Sequence, residues 1–261
     1  MPVLQLNSFD DSRLAPYREL KDRTLAARHG LFVAEGEHLV RRLLASDFET
    51  ASVLLADRRT EEIAPLVPGS VNVFVLPQNE LNRVVGYKFH SGVIAMGVRK
   101  PSPTLSDVVK PTGPVKLVIC PDTTNGENLG SLIRLSAGFG ADAMLVGPRS
   151  IDLFMRQVVR VSMGTIFQLP VVQSTDLSAD LQQLKQQGVR LIASVLDPSA
   201  APLASAARRD RSAILFGNEA QGLDSGTLSL CDERITIPMH RGTDSLNVAV
   251  AAGIFLYHYW S

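Results

Sequence analysis

The sequence predicts a two-part α/β protein whose second part is built on a largely parallel sheet. Three observations carry that expectation. From residue 115 onward, short apolar runs at 115–120, 143–147, 166–172, 190–195, 213–217 and 234–238 alternate with helical patterns. That order gives a parallel sheet covered on both faces. Ahead of it, 99–114 carries Pro101, Pro103, Pro111, Gly113 and Pro114, a density that stiffens the chain and resists regular structure. Finally, two apolar runs stop at Gly217 and Pro238, residues ill-suited to continue a strand, and open into polar loops. In open α/β sheets ligands bind beyond the carboxyl ends of the strands, so the site is expected in those loops.

Taken in order, residues 10–29 read as a helix that Asp10, Asp11 or Ser12 can cap and Gly30 stops. Strands follow at 31–34, 52–56, 72–76 and 92–98, with helices at 35–44, 60–66 and 78–84. This gives a first domain over 1–98, a linker over 99–114 and a second domain over 115–261, each of ordinary size. The second domain is expected to hold helices at 129–139, 151–161, 177–187, 225–230 and 245–259, with Asp244 or Ser245 capping the last. Residues 197–211 read as a loop or broken helix. The last helix is apolar almost all round over 248–257, which suits burial on several sides, as at a subunit interface.

Composition narrows the class. The chain has 261 residues, 45% of them hydrophobic and 20% charged, with a formal net charge of zero. That describes a globular protein with ample core and excludes a wholly basic nucleic-acid coat, although 81–100 holds Arg83, Lys88, His90, Arg99 and Lys100 without one acid. No window approaches 18 uninterrupted apolar residues, and the first residues lack the basic-then-apolar order of a signal peptide, so a cytoplasmic location with no membrane partner is expected. Cys120 and Cys231 read as buried free thiols ahead of a bridge between them, and with five scattered histidines they give no metal-ligand spacing.

Chemistry is expected in three loops, at 121–130, 217–223 and 237–247. No G-x-G-x-x-G follows the first strand of the second domain, no phosphate-binding G-x-x-x-x-G-K-[ST] exists, and G-x-S-x-G is absent. A dinucleotide-dependent oxidoreductase therefore lacks its fingerprint. Asn128 and Arg134 lie six residues apart, a rotation of about 240° net on an α-helix, so they share a face only if Asn128 sits at the cap.

Three stretches in order resemble the motifs of the SpoU/TrmH family of RNA ribose 2′-O-methyltransferases, of the SPOUT class. They are Asn128-Leu129-Gly130-Ser131-Leu132-Ile133-Arg134, then Leu215-Phe216-Gly217-Asn218-Glu219-Ala220-Gln221-Gly222-Leu223, then Ile237-Pro238-Met239 followed by Ser245-Leu246-Asn247-Val248-Ala249-Val250-Ala251. The first half is similar to that family's substrate-recruiting domain, itself like an RNA-binding ribosomal protein, at Phe32-Val33-Ala34-Glu35-Gly36 and His90-Ser91-Gly92-Val93-Ile94-Ala95. Ser91 stands where the family usually has Gln.

The resemblance implies a parallel-sheet methyltransferase domain ending in a deep trefoil knot, a device otherwise almost absent from proteins. It implies S-adenosylmethionine held at Gly217, Ile237, Met239 and Leu246, and a homodimer through the second domain. It places Arg134 at the methyl-transfer step, with Asn128, Glu219, Ser245 and Asn247 around it. A guanidinium stays protonated, so Arg134 is awkward as a base and is better suited to clamping phosphate and stabilising oxyanion character. RNA is the implied partner, ribosomal RNA ahead of transfer RNA. Arg13, Lys21, Arg23, Lys88 and His90, with Arg149, Arg156 and Arg160, are the expected phosphate contacts. A non-catalytic RNA-binding or ribosome-assembly protein on the same scaffold is the alternative.

Overall fold

Apolar runs in the first hundred residues pair into one five-stranded sheet: β1 (Val3–Gln5), β2 (Leu31–Glu35), β3 (Thr50–Ala56), β4 (Asn72–Leu76) and β5 (Val93–Val98). The computed structural model describes residues 3–18 and 30–261. The sheet order is β1-β4-β3-β5-β2, with β1, β4 and β3 mutually parallel and β5 antiparallel to both β3 and β2. One face buries Leu54, Phe74, Leu81, Ile94 and Met96. The short edge strand β1 was not foreseen, because three residues are too few for alternation to register. Of the helix expected over 10–29, a 3-10 turn at Ser12–Leu14 and helix Ala15–Arg18 are seen, and 19–29 lies outside the described residues.

The second sheet is parallel throughout. It contains β6 (Val115–Cys120), β7 (Ala143–Val146), β8 (Val171–Gln173), β9 (Arg190–Ser194), β10 (Ala201–Pro202), β11 (Arg211–Leu215) and β12 (Glu233–Thr236), ordered β10-β12-β9-β11-β6-β7-β8. The central strands β6, β9 and β11 are nearly continuous apolar runs because helices cover them on both faces. One face packs Leu117, Ile119, Leu145, Leu191 and Leu215 against Leu181 and Leu184 of helix Leu177–Gln186. Helix Val248–Trp260 packs against helix Gly126–Gly138. Among the described residues, no helix is long and apolar enough to cross a membrane.

The chain divides into two compact units. The first is Met1–Pro101 with Asp152–Phe167; the second is Ser102–Ile151 with Gln168–Ser261. Two expectations change as a result. The stretch expected as a linker folds into the second unit after Pro101: Thr104 and Asp107 form a capping box on helix Leu105–Val108, and Leu105 and Val109 enter that unit's core. Residues 152–167, expected within the second domain, fold into the first. Asp152 accepts the backbone N–H of Phe154 at 2.8 Å, a turn that delays the helix expected from 151 until Arg156–Val161. The strand expected over 166–172 is a 3-10 turn at Thr165–Phe167 followed only by β8, since Pro170 has no N–H for a ladder.

Aromatic packing explains why 152–167 joins the first unit. Phe154 stacks on Phe32 at 4.8 Å between centroids, Phe167 lies 5.4 Å from Phe32, and Phe48 meets all three rings. Gly97, opposite Phe32 on β5, makes room: a Cβ there would sit 2.2 Å from the ring. Arg99 closes the cluster, donating to both oxygens of Asp152 at 2.6 Å.

Candidate active site

At the carboxyl edge of the parallel sheet, four loops surround a cavity of about 570 Å3. The loop after β6 supplies Thr124, Asn125 and Asn128. The loop after β11 supplies Phe216 through Ala220 and Gly222. The loop after β12 supplies Ser245, Leu246 and Asn247. The fourth loop, Ser194-Val195-Leu196 after β9, was missed by sequence reasoning. Its signal was present, since Asp197-Pro198 ends that apolar run as abruptly as Gly217 and Pro238 end theirs.

Local chemistry fixes each loop. Asn125 caps helix Gly126–Gly138, its side-chain oxygen accepting the N–H groups of Glu127 and Asn128 at 2.8 and 3.1 Å. Asn128 therefore lies inside the first turn, not at the cap. Asn218 and Gly222 exchange backbone hydrogen bonds at 3.0 and 2.8 Å, folding the second loop back on Gly217. A Cβ on Gly217 would fall 2.4 Å from the Gly222 carbonyl carbon, so this position admits only glycine. The last helix begins at Val248. Asn247 caps it by accepting from the Ala249 N–H at 2.8 Å, which corrects the expectation of Asp244 or Ser245 as cap.

Three of these side chains form one directed chain. Glu219 carries only acceptors when ionised, so Asn128 must turn its amide nitrogen to Glu219 Oε1, at 2.6 Å. The Asn128 oxygen then accepts from Asn247 Nδ2 at 3.0 Å, while the Asn247 oxygen is held by Ala249. Every amide in the series has one possible orientation, and the series ends on a carboxylate whose second oxygen is not taken by Asn128. Val195, Leu196, Phe216, Leu246 and Val248 add apolar lining to the same cavity.

Other expected residues lie elsewhere. Arg134 is on the same helix as Asn128, exposed and outside the cavity lining, and its side chain has no hydrogen bond or ion pair among the described residues. Ile237 and Met239 are half-buried and also outside the lining, whereas Gly217, Leu246 and Ser245 are in it. Cys120, at the end of β6, is fully buried; burial pushes its thiol up to about 12, which leaves it no nucleophilic role.

The expected RNA contacts divide the same way. Lys88, His90 and Arg160 are exposed. Arg13 is tied to Asp11 at 2.6 Å. Arg156 does not reach outward: its guanidinium donates to Glu35 at 2.6 Å and to the Tyr87 hydroxyl at 2.5 Å, within the first unit. Arg149 lies 3.2 Å from Asp122. Lys21 and Arg23 lie outside the described residues.

Residues 116–257 match the model of the SpoU rRNA Methylase family. The chain is 36% identical to an uncharacterised tRNA/rRNA methyltransferase of Mycobacterium tuberculosis, over 95% of this chain and 88% of the relative. It is 31% identical to a 23S rRNA (guanosine-2′-O-)-methyltransferase of Acinetobacter baylyi, over 85% of this chain and 94% of the relative. An AdoMet-bound rRNA methyltransferase from Sinorhizobium meliloti shares the fold, with a TM-score of 0.83 at 22% identity, covering 98% of this chain and 97% of that one.

Proposed function

The chain belongs to the SpoU rRNA Methylase family, and from that premise we propose that it methylates a ribose 2′-hydroxyl of structured RNA with S-adenosylmethionine as donor, ribosomal RNA ahead of transfer RNA. The observation that carries this is the Asn247–Asn128–Glu219 chain, which draws three sequence-distant loops onto one cavity. The relative from Acinetobacter baylyi, named for ribose methylation of 23S rRNA, favours the ribosomal substrate.

The residues present fit an adenosyl group. About 570 Å3 suits a ligand of that size, part of the lining is apolar, and Gly217 lets the loop backbone fold closely at the cavity. Gly217 and Leu246 would hold the donor from the lining, with Ile237 and Met239 supporting the third loop from behind. When bound, the donor supplies an electrophilic methyl group. The protein's part is to bring a ribose oxygen into line and to help its proton leave. Glu219 does this through the oxygen that Asn128 leaves free, aimed by the relay from Asn247; Ser245 lies beside it in the lining. Arg134, unpaired and exposed, takes the RNA phosphate that positions the ribose. Lys88, His90 and Arg160 extend the grip along the backbone, and residues 1–98 recruit the RNA.

Two further features belong to the same reading. The second unit follows the knotted path that the family resemblance implies. The protein works as a homodimer through the last helix, where Val250, Ile254 and Tyr257 form an exposed apolar row at helical spacing.

Single-turnover methylation of unmodified RNA tests the proposal, alongside calorimetry with S-adenosylmethionine. Wild type binds the donor and transfers the methyl group. Arg134→Lys retains donor affinity but loses about a hundredfold or more in rate, because an ammonium cannot replace the planar fork. Near-wild-type transfer by the lysine variant would remove Arg134 from this role.

A further inference from the structure

A second cavity, of about 460 Å3, opens at the same carboxyl edge within the second unit. Its apolar lining is Leu177 and Leu181 from helix Leu177–Gln186, Leu230 from helix Ser225–Leu230, and Pro121 and Pro148 just past β6 and β7, with Ser178, Thr227 and Ser229 as uncharged polar lining. Two charged side chains stand at it, Arg149 and Asp224. Both have unspent capacity. Arg149 is 67% exposed; its Nε lies 3.2 Å from Asp122, and its terminal nitrogen stops 3.9 Å short of Asp224 Oδ2, too far for a hydrogen bond. Asp224 uses Oδ1 to cap its helix, accepting from the Thr227 N–H at 2.8 Å, and leaves Oδ2 open. A fork of donors and a carboxylate acceptor thus lie side by side in a cavity that also offers leucine and proline surface.

The ligand that matches is planar, with two acceptors on one edge and neighbouring donors on the next. Guanine has that pattern. Its O6 and N7 accept from an arginine fork, and its N1–H and N2 amino group donate to a carboxylate. Adenine offers a donor where the fork needs an acceptor. Uracil offers one donor flanked by a second carbonyl that a carboxylate repels. We infer that this cavity is a guanine subsite that reads an unpaired guanosine of the RNA substrate, an inference that rests on the proposed RNA methyl transfer. Its position suits that role, because one residue separates the two cavities. The Asp122 carboxylate faces Arg149, and its backbone oxygen accepts from Asn218, which lines the first cavity, at 3.2 Å. Thr124 and Asn125 continue the same loop into that first cavity, and Asn128 follows in the first turn of the helix.

The test titrates the full chain with GMP, IMP, AMP and UMP, and separately with S-adenosylmethionine. Wild type binds GMP about tenfold or more tightly than AMP or UMP, with IMP between them because it lacks the N2 amino group. Asp224→Asn keeps the helix cap but replaces the open acceptor with a donor, and it erases the preference for GMP. Arg149→Met keeps the aliphatic stem and does the same. Both variants hold S-adenosylmethionine within about twofold of wild type, which shows that they are folded. Equal binding of all four nucleotides, or a GMP preference that survives both substitutions, overturns the subsite. A GMP preference without any binding of S-adenosylmethionine leaves the subsite standing and instead removes the methyl-transfer reading.

Discussion

Gly217 is the position where a single methyl group does most damage. Its missing Cβ is the space that the Asn218–Gly222 loop occupies, with backbone atoms at 2.4 to 2.7 Å from where that carbon would lie. Backbone cannot swing aside as a side-chain tip can, so Gly217→Ala is expected to displace the loop. S-adenosylmethionine affinity should drop by about tenfold or more in calorimetry; a change under about twofold would show that the loop tolerates the shift. The thiols give a second check. Burial pushes Cys120 up to about 12 and Cys231 up to about 11, and both are free. Neither should react with iodoacetamide at neutral pH until denaturant is added, as mass spectrometry would show. The motif pattern makes Asn128, Glu219 and Asn247 legible one by one. Their connection is not legible, because it joins residues 91 and 119 positions apart, and no local rule reports such closure. Arg134 is the reverse case: the motif singles it out, while the fold leaves it outside the cavity lining.

At the scale of elements, strands were easier to place than the segments between them. β4 and β6 lie where the apolar runs put them, since each run is bounded by residues that end strands. Residues 152–167 misled because their apolar pattern suits a helix and a strand of either unit, and only the aromatic ring contacts choose. Phe167 is buried against Phe32 and Phe48, so Phe167→Ala should destabilise the first unit by about 3–5 kcal/mol in denaturant unfolding. A fragment ending at residue 101 should bind a hydrophobic dye that the whole chain does not, because Phe32 and Phe48 lose their cover. The same unit carries an acid-sensitive link. Hydrogen bonds from Arg59 and then Arg41 hold the Glu37 carboxyl down from 4.5 to about 2. A lowered folded value means that its contribution is complete above about 4.5 and fades as pH falls toward about 2. Melting curves of Glu37→Gln should therefore be flatter than wild type across that window and should converge with it at the acid end.

For the whole molecule, the apolar row on helix Val248–Trp260 bears on assembly. Val250, Ile254 and Tyr257 are exposed in the single chain, a pattern that suits a second copy. Replacing Ile254 and Tyr257 by Asp should give a monomer in sedimentation where wild type sediments as a dimer; a monomeric wild type at micromolar concentration would remove the dimer from the proposal.

The return of residues 152–167 to the first unit also sets a schedule for biosynthesis. A ribosome adds about 5–20 residues each second, and about fifty residues of the second unit emerge between Pro101 and Asp152. For several seconds the nascent amino-terminal sheet waits with its phenylalanines uncovered, beside β6 and β7 that still lack their later neighbours. A translational pause in that interval would prolong the most aggregation-prone moment of the chain's life, and that is where a chaperone would be needed.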